Sequence, residues 1–141
     1  MAETMSQTML LQVVSPERLL VDEQVTEAQI PALDGYIGAL PGHAPLLSAL
    51  KVGGVLSYRA PGHNGKDETV AVYGGFVQIL PDRVRVLADS AQPSRDINPE
   101  QARERLKKAQ AAVEQQGVAS DEASRDEIVR AQAAVDAIAA K

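Results

Sequence analysis

Apolar and polar residues alternate over short runs up to about Asp89, and glycine or proline separates the runs. A period of two residues is typical of β-strands with one buried face. Many short strands at this spacing predict an all-β sandwich or barrel with antiparallel pairing. The predicted strands lie at residues 8–15, 25–30, 46–50, 55–59, 68–73, 76–80 and 84–87.

The pattern changes after Pro93, where strand-like runs stop and alanine, glutamate, glutamine, lysine and arginine predominate. These residues favour helices. Asn98 is the predicted cap of a first helix, with Pro99 in its first turn, and Gly117 is the predicted end. Ser120 is the predicted cap of a second helix, so two antiparallel helices should follow the strands.

The chain therefore divides into a predicted β-sandwich over residues 1–90 and a helical hairpin over residues 91–141. Two apolar stripes form the predicted seam of the hairpin, namely Ala102, Leu106, Ala109 and Val113 in the first helix and Ile128, Ala131, Val135 and Ile138 in the second. Alanine buries little apolar area, so this seam should be weak. A weak hairpin is compatible with an element that detaches and binds elsewhere, and equally with a static terminal hairpin.

Composition narrows the function classes. The chain has 141 residues, no cysteine, 3% aromatic residues and a net charge of −5. Disulfides and thiolate sites are therefore excluded. The 14 lysine and arginine residues are too scattered for broad nucleic-acid binding. No apolar run reaches the roughly 20 residues of a membrane span, so we expect any membrane association to come through a partner.

The histidines are the first candidates for chemistry. His43 lies in the turn PGHAP, and His63 lies in the polar segment PGHNGKDE, where we expect it to be solvent-exposed. A hydrolytic triad requires a nucleophile and a carboxylate beside the histidine, but His43 has no serine in a nucleophile-elbow context and no aspartate or glutamate within its local turn. The chain also has no HExxH segment and no P-loop motif. We therefore predict neither an enzyme nor a metal or cofactor site.

Two surfaces remain as candidates for binding. The stretch after Pro31 places Tyr36, Ile37 and Leu40 around tight turns, where apolar and aromatic side chains are typical of a docking surface. The first predicted helix is locally cationic although the chain is acidic overall. Its cations are Arg103, Arg105, Lys107 and Lys108. Such a run is either a solvated face or a surface for an acidic partner.

Two long segments carry a resemblance to a known family. GYIGALPGHAPLLSALKVGGV, residues 35–55, is similar to the hallmark G-x-x-G-x-x-P-G-H-A-P-L-L-[ST]-x-L of the epsilon subunits of bacterial F-type ATP synthases, which correspond to the mitochondrial delta subunits. YGGFVQILPDRVRVLADSA, residues 73–91, is similar to the second hallmark of this family. The likeness extends over essentially the whole chain, including the order of β-sandwich and helical hairpin.

The resemblance implies a non-catalytic rotor subunit of the central stalk of a proton-translocating enzyme. The sandwich of such a subunit binds the gamma subunit and rests on the membrane-embedded c-ring, at the cytoplasmic face of a bacterial plasma membrane. By position, Ser15, His43 and Ser48 correspond to gamma contacts, and Tyr36 with Ile37 corresponds to the c-ring contact.

The hairpin of the family extends towards the alpha and beta catalytic subunits and inhibits ATP hydrolysis, so the four cations of the first helix become its candidate contacts. Members that bind ATP resemble [IL]-D-x-x-R-A at the start of this helix. Here Asn98 and Gln101 stand where that motif has aspartate and arginine, which argues against a nucleotide site.

Two alternatives stay open from the sequence. One is a free-standing β-sandwich that binds a ligand and dimerises through its helical tail. The other is an ATP sensor, which would have to bind nucleotide despite the altered motif.

Overall fold

A computed structural model describes residues 7–117 and 121–139, and within them ten β-strands precede two α-helices. The predicted fold class, a β-sandwich followed by two helices, is confirmed. The strands are β1 (Met9–Val14), β2 (Leu19–Val25), β3 (Glu27–Ala32), β4 (Gly35–Ala39), β5 (Leu46–Ala49), β6 (Gly54–Arg59), β7 (Glu68–Val72), β8 (Gly75–Leu80), β9 (Arg83–Ala88) and β10 (Ala91–Pro93). The helices are α1 (Pro99–Gln116) and α2 (Glu122–Ala139).

The strands form two five-stranded sheets. The front sheet has the order β2-β1-β9-β8-β5, and the back sheet has the order β10-β7-β6-β3-β4. Among these neighbours every pair is antiparallel except β1 and β9, which run parallel. This parallel pair joins the start of the chain to its last long strand. Hydrogen bonds between these two strands hold the first and the ninth strand side by side in the front sheet.

Alternate residues of each sheet fill the space between them, as the two-residue period predicts. In β1, Met9, Leu11 and Val13 are fully buried, while the residues between them are partly exposed. The largest fully buried side chains of the described residues are all aliphatic or methionine. Tyr58 is the one aromatic residue in this core cluster. The core therefore depends on close packing of small aliphatic side chains.

Three strands are absent from the sequence prediction, namely β2, β4 and β10. The β4 segment GYIGA has two glycines, which predict turns more strongly than strands. The predicted run at residues 25–30 covers the end of β2 and most of β3. β10 lies beyond residue 90, where we divided the two units, and it pairs with β7 as an edge strand.

The predicted start of α1 is confirmed. The side-chain oxygen of Asn98 accepts a hydrogen bond from the backbone N–H of Gln101 at 3.1 Å, and Pro99 occupies the first turn. Gly117 ends the helix with a φ of +60°, a value that glycine adopts without steric cost.

The predicted cap of the second helix, Ser120, lies outside the described residues. Among the described residues Asp121 provides the capping bond, since its carboxylate accepts from the backbone N–H of Ser124 at 2.8 Å. Hydrogen bonding from the Ser124 side chain, and after it this backbone hydrogen bond, hold the pKa of Asp121 below its ordinary value.

α2 lies between α1 and the back sheet. Ala133, Ala134 and Ala137 of α2 pack in one buried cluster with Ala71 of β7 and with Tyr73, which directly follows that strand. The predicted seam residues of α1 are buried at Ala102 and Ala109, and Leu106 and Val113 are partly buried. Val135 and Ile138, predicted to face α1, pack against the cluster that contains the sheet residues. The hairpin is thus docked on the sandwich by a second apolar face of α2.

We expect Gly75→Ala to destabilise the sandwich by about 2–5 kcal/mol. Gly75 has a φ of +122°, and an added Cβ would meet the carbonyl oxygen of Leu87 in the neighbouring strand. Urea denaturation measures the effect.

Gly62→Ala is the matched control, because Gly62 has no heavy atom within 4 Å of an added Cβ and lacks a positive φ. Equal midpoints for the two variants would contradict the prediction.

Candidate interaction surfaces

An apolar row crosses the outer face of the front sheet. Five paired residues form this row, one from each strand, in the order Ala49, Phe76, Leu87, Val14 and Leu19. Phe76 is 57% exposed, Leu87 is 55% exposed and Leu19 is 51% exposed. Isolated apolar residues are common on protein surfaces, but a contiguous row is typical of a contact with another protein.

The row is confined to one end of the sheet. The next row along the strands has the order Leu47, Gln78, Arg85, Gln12 and Asp22, and only Leu47 in it is apolar. In the part of the chain that the structure describes, the hairpin packs on the back sheet, on the opposite side of the sandwich from the apolar row. A partner can therefore reach the apolar row while the hairpin is docked.

The three predicted gamma-contact residues lie at different points of the front sheet. Ser15 follows Val14 at the end of the apolar row, and its hydroxyl accepts from the backbone N–H of Arg18 at 3.3 Å. Ser48 is in the edge strand β5 and is partly buried. His43 lies at the other end, where the N–H of the adjacent Gly42 donates to Pro81. A six-residue strand spans about 17–20 Å, so the three do not form one cluster.

The His43 ring does not have the arrangement of a catalytic triad. Its Nδ1 donates to the carbonyl oxygen of Ala44 at 2.6 Å, whereas a triad histidine donates from this atom to a carboxylate. The backbone N–H of His43 donates to Leu40, which closes the turn. His43 is therefore a turn residue with a partly exposed ring.

The two predicted c-ring residues point to opposite faces of β4. Tyr36 is 51% exposed, and its hydroxyl accepts from the backbone N–H of Val55 at 3.1 Å. The Lys51 ammonium lies 4.9 Å from the centre of the Tyr36 ring. Ile37 packs against the core between the sheets. Of the two, Tyr36 is the residue that offers its side chain to a partner.

The predicted cationic face of α1 is interrupted at Arg105. The guanidinium of Arg105 makes two hydrogen bonds to Glu127 of α2, at 2.6 and 2.9 Å, and lies 5.8 Å from the centre of the Tyr73 ring. Arg103, Lys107 and Lys108 are exposed. The docked hairpin therefore presents three of the four predicted cations, because Arg105 is used inside the chain.

The Arg105–Glu127 pair is the strongest electrostatic contact between the two helices. The hydrogen bonds from Arg105 hold the pKa of Glu127 below its usual range, and the same bonds raise the pKa of Arg105. Burial raises the pKa of the neighbouring Tyr73 hydroxyl. Sequence analysis missed this pair, since the two residues are 22 positions apart and their spacing carries no local signal.

A polar cavity of about 560 Å³ lies where the sandwich meets the hairpin. Its charged lining residues are Arg18, Arg105, Arg130, Glu17 and Asp89. Arg105 is already paired with Glu127, and Arg18 lies 3.5 Å from Asp96. The remaining charges are mixed in sign, so the cavity is not a concentrated anion site.

Asn98 and Gln101, which replace the nucleotide motif, have a structural role at the start of α1. The Asn98 side chain is bonded to the Gln101 backbone and caps the helix. Neither residue supplies the charge of the aspartate or arginine that it replaces.

His63 is not the solvated turn residue that the sequence predicts. Its Nε2 lies 3.1 Å from Glu23, whose carboxylate also accepts from the Tyr58 hydroxyl at 3.3 Å. Burial, together with Glu23, raises the pKa of Tyr58. Glu23 belongs to the front sheet and Tyr58 to the back sheet. The cluster therefore links β2, an edge strand of the front sheet, to β6, the central strand of the back sheet.

No helix in residues 7–117 or 121–139 combines the length and the apolar content that a membrane crossing requires. Over the same residues, no three histidine, aspartate or glutamate side chains are grouped closely enough to hold a metal ion.

Sequence comparison gives one family and many relatives. Residues 8–94 match the family described as ATP synthase, Delta/Epsilon chain, beta-sandwich domain. An ATP synthase epsilon chain of Solibacter usitatus is 47% identical over 106 residues, which cover 75% of this chain and 76% of the relative. An ATP synthase epsilon chain of Brucella anthropi is 41% identical over 78% of this chain and 79% of the relative.

Solved structures with a similar fold come from mitochondrial ATP synthases. A chain in the OSCP/F1/c-ring structure of the Euglena gracilis enzyme has a TM-score of 0.71 at 24% identity, covering 94% of this chain and 80% of that one. A chain in the central stalk/c-ring structure of the Tetrahymena thermophila enzyme has a TM-score of 0.55 at 13% identity, covering 70% of this chain and 75% of that one. At these identities the likeness supports the fold.

The Arg105–Glu127 pair should stabilise the hairpin in a pH-dependent way. The pKa of Glu127 is lower in the folded chain than its ordinary value of 4.5, so the stabilisation is fully present above that value and is lost as the pH falls through the lowered pKa. Both side chains are about 40% exposed, so we expect Glu127→Gln to cost about 0.2–1 kcal/mol at pH 7. Helical circular dichroism during urea denaturation, at pH 7 and in steps below pH 4.5, measures the difference.

Glu104→Gln, at an exposed carboxylate of α1, is the matched control and should leave the pH 7 midpoint unchanged. A Glu127→Gln effect that persists undiminished at the lowest pH would contradict an ion pair.

Proposed function

The chain belongs to the delta/epsilon family of ATP synthase subunits, and we propose that it is a non-catalytic rotor subunit of a bacterial F-type ATP synthase, linking a gamma subunit to the c-ring. The observation that carries the proposal is the apolar row on the open face of the front sheet. A rotor subunit needs a permanent protein contact that survives any movement of its regulatory element. The front face meets that requirement because the hairpin packs on the other sheet.

The gamma contact is assigned to the apolar row. Phe76, Leu87 and Leu19 lie side by side on a rigid sheet, and apolar anchors at the centre of an interface supply most of its binding free energy. Ser15 borders the row. Ser48 pairs with the buried Val77, so its side chain is on the inner side of the edge strand β5, and His43 lies in the turn beyond the polar row. The proposed interface therefore has an apolar centre near Phe76 and a more polar margin towards His43.

The c-ring contact is assigned to Tyr36 and the adjacent turn. Leu33, in the turn between β3 and β4, is 60% exposed, and Tyr36 follows it at the start of β4. The proposal leaves Ile37 in a supporting role, since its side chain packs against the core. This contact associates the protein with the cytoplasmic face of the plasma membrane through the complex.

The hairpin is assigned the role of a brake on ATP hydrolysis. In the docked state α2 is held on the back sheet through alanine side chains, which bury little area per residue. A released hairpin offers Arg103, Lys107 and Lys108 to acidic loops of the alpha and beta subunits. Two states of similar free energy would make the hairpin a switch.

The free-standing ligand-binding module has less support. A dimerising tail needs a free apolar face, whereas the buried face of α2 packs on the chain's own sheet. The cavity of about 560 Å³ between the sandwich and the hairpin is lined mainly by charged and polar residues, in contrast to the apolar pocket of a typical ligand site.

Phe76→Asp should weaken binding to the gamma subunit of the same enzyme by about a hundredfold, because it places an unpaired charge at the centre of an apolar interface. The sandwich should remain folded, because the side chain is 57% exposed. Calorimetric titration of purified full-length protein with gamma measures the change.

Gln78→Asp is the matched control, since Gln78 is on the same face of β8 and two residues away in the polar row. Equal weakening by both variants would point to a general charge effect and count against the apolar row.

Removal of the hairpin should raise ATP hydrolysis while leaving assembly and ATP synthesis intact. The chain should be ended after Asp96, so that β10 remains in the back sheet. If the two hairpin states have similar free energies, hydrolysis should rise about twofold or more. Hydrolysis by membranes with the full-length and the shortened subunit, measured side by side, tests the brake, and equal rates would make the hairpin structural.

A further inference from the structure

Gly53 lies directly beneath α2. A Cβ built on Gly53 would be 2.7 Å from the carbonyl oxygen of Val129, 2.8 Å from the carbonyl carbon of that residue and 2.9 Å from the Cα of Arg130. All three atoms belong to the helix backbone and cannot rotate away as a side chain can. The helix reaches the sheet at this point because residue 53 has no side chain.

The backbone of the sandwich does not itself require glycine at this position. Gly53 is absent from the residues with positive φ, so alanine fits its local conformation. The three nearest atoms to an added Cβ all belong to α2. Glycine loses more conformational freedom on folding than other residues, and the close approach of α2 offsets that loss here.

The Gly53 contact is at the middle of α2, and a second contact lies near the C-terminal end of the helix. The buried hydroxyl of Thr69 in β7 donates to the carbonyl oxygen of Ala137 at 2.8 Å. Ala137 is in the last turn of α2, where carbonyl groups have no partner within the helix. Arg130 and Ala137 are separated by about 10 Å along a helix axis, so the two contacts fix both the position and the direction of α2.

We propose that Gly53 is the docking seat of the hairpin, so that this one position of the sandwich sets the balance between the docked and the released hairpin. A methyl group at residue 53 would press on the α2 backbone and favour release, while every contact between α1 and α2 is retained. For its consequence in the enzyme, the inference rests on the proposed function as a brake.

Hydrogen exchange of the isolated full-length chain tests the seat. We expect Gly53→Ala to speed exchange of the α2 amides by about tenfold or more, in the range that overpacking produces, with core amides of β1 and β9 unchanged. Gly62→Ala is the matched control, since an added Cβ there meets no atom within 4 Å. α2 exchange equal to the control would overturn the proposal. Faster exchange throughout the sandwich would also overturn it, because Gly53 would then serve the sandwich itself.

The second anchor provides an independent variant. Thr69→Val removes the hydroxyl, and Thr69→Ser keeps it, so only Thr69→Val should speed exchange near Ala137. Equal exchange in these two variants would overturn the two-point docking.

An assay of ATP hydrolysis distinguishes the docking role of Gly53 from the proposed inhibition by the hairpin. With Gly53→Ala in the assembled enzyme, ATP hydrolysis should fall, since more hairpin is released to inhibit it. Faster α2 exchange in the isolated chain together with unchanged hydrolysis would support the docking role of Gly53 and contradict the inhibitory role of the hairpin.

Discussion

Successive residues of a β-strand point to opposite faces, and the surfaces of this protein follow from that constraint. In β8, Val77 and Ile79 fill the core, so Phe76 and Gln78 must point outwards. Because strand register places Phe76 beside Leu87 and Leu87 beside Val14, outward apolar residues align into a row. On the back sheet Thr69 and Ala71 point outwards and pack against α2. The same alternation therefore gives the front sheet an exposed apolar row and the back sheet a surface that α2 covers.

The hairpin is held by contacts of two kinds that act at different interfaces. Arg105 and Glu127 join α1 to α2, whereas Gly53 and Thr69 join α2 to the sandwich. Release of the hairpin as a unit would break the contacts at Gly53 and Thr69 but keep the ion pair, and Arg105 would lose its contact with the Tyr73 ring. Arg105 becomes available to another protein only when the two helices separate. The cationic face of a released but closed hairpin therefore consists of Arg103, Lys107 and Lys108.

Much of the fold follows from local sequence patterns, because strand alternation and helix capping are local properties. The core residues of β1 and the Asn98 cap are examples. β4 was missed because GYIGA becomes a strand only through its pairing with β3. The apolar row was missed for a similar reason, since Val14 and Leu87 become neighbours through a parallel pairing between distant segments. Once β4 is known to be a strand, side-chain alternation places Tyr36 and Ile37 on opposite faces of the sheet.

The adjacent residues Gly53 and Gly54 illustrate what local reasoning cannot separate. Both precede or begin β6 and both lack a positive φ, so neither their position along the chain nor their backbone conformation separates their roles. A Cβ on Gly54 would collide with the Cβ of Pro31 at 2.5 Å, inside the back sheet, so Gly54 is required whether or not the hairpin is docked. A Cβ on Gly53 would collide with α2, so Gly53 is required only when the hairpin is docked. Gly54 therefore meets a steric requirement of the back sheet, and Gly53 meets a steric requirement of the docked hairpin. Docking of the hairpin thus places its own constraint on the sequence of the sandwich.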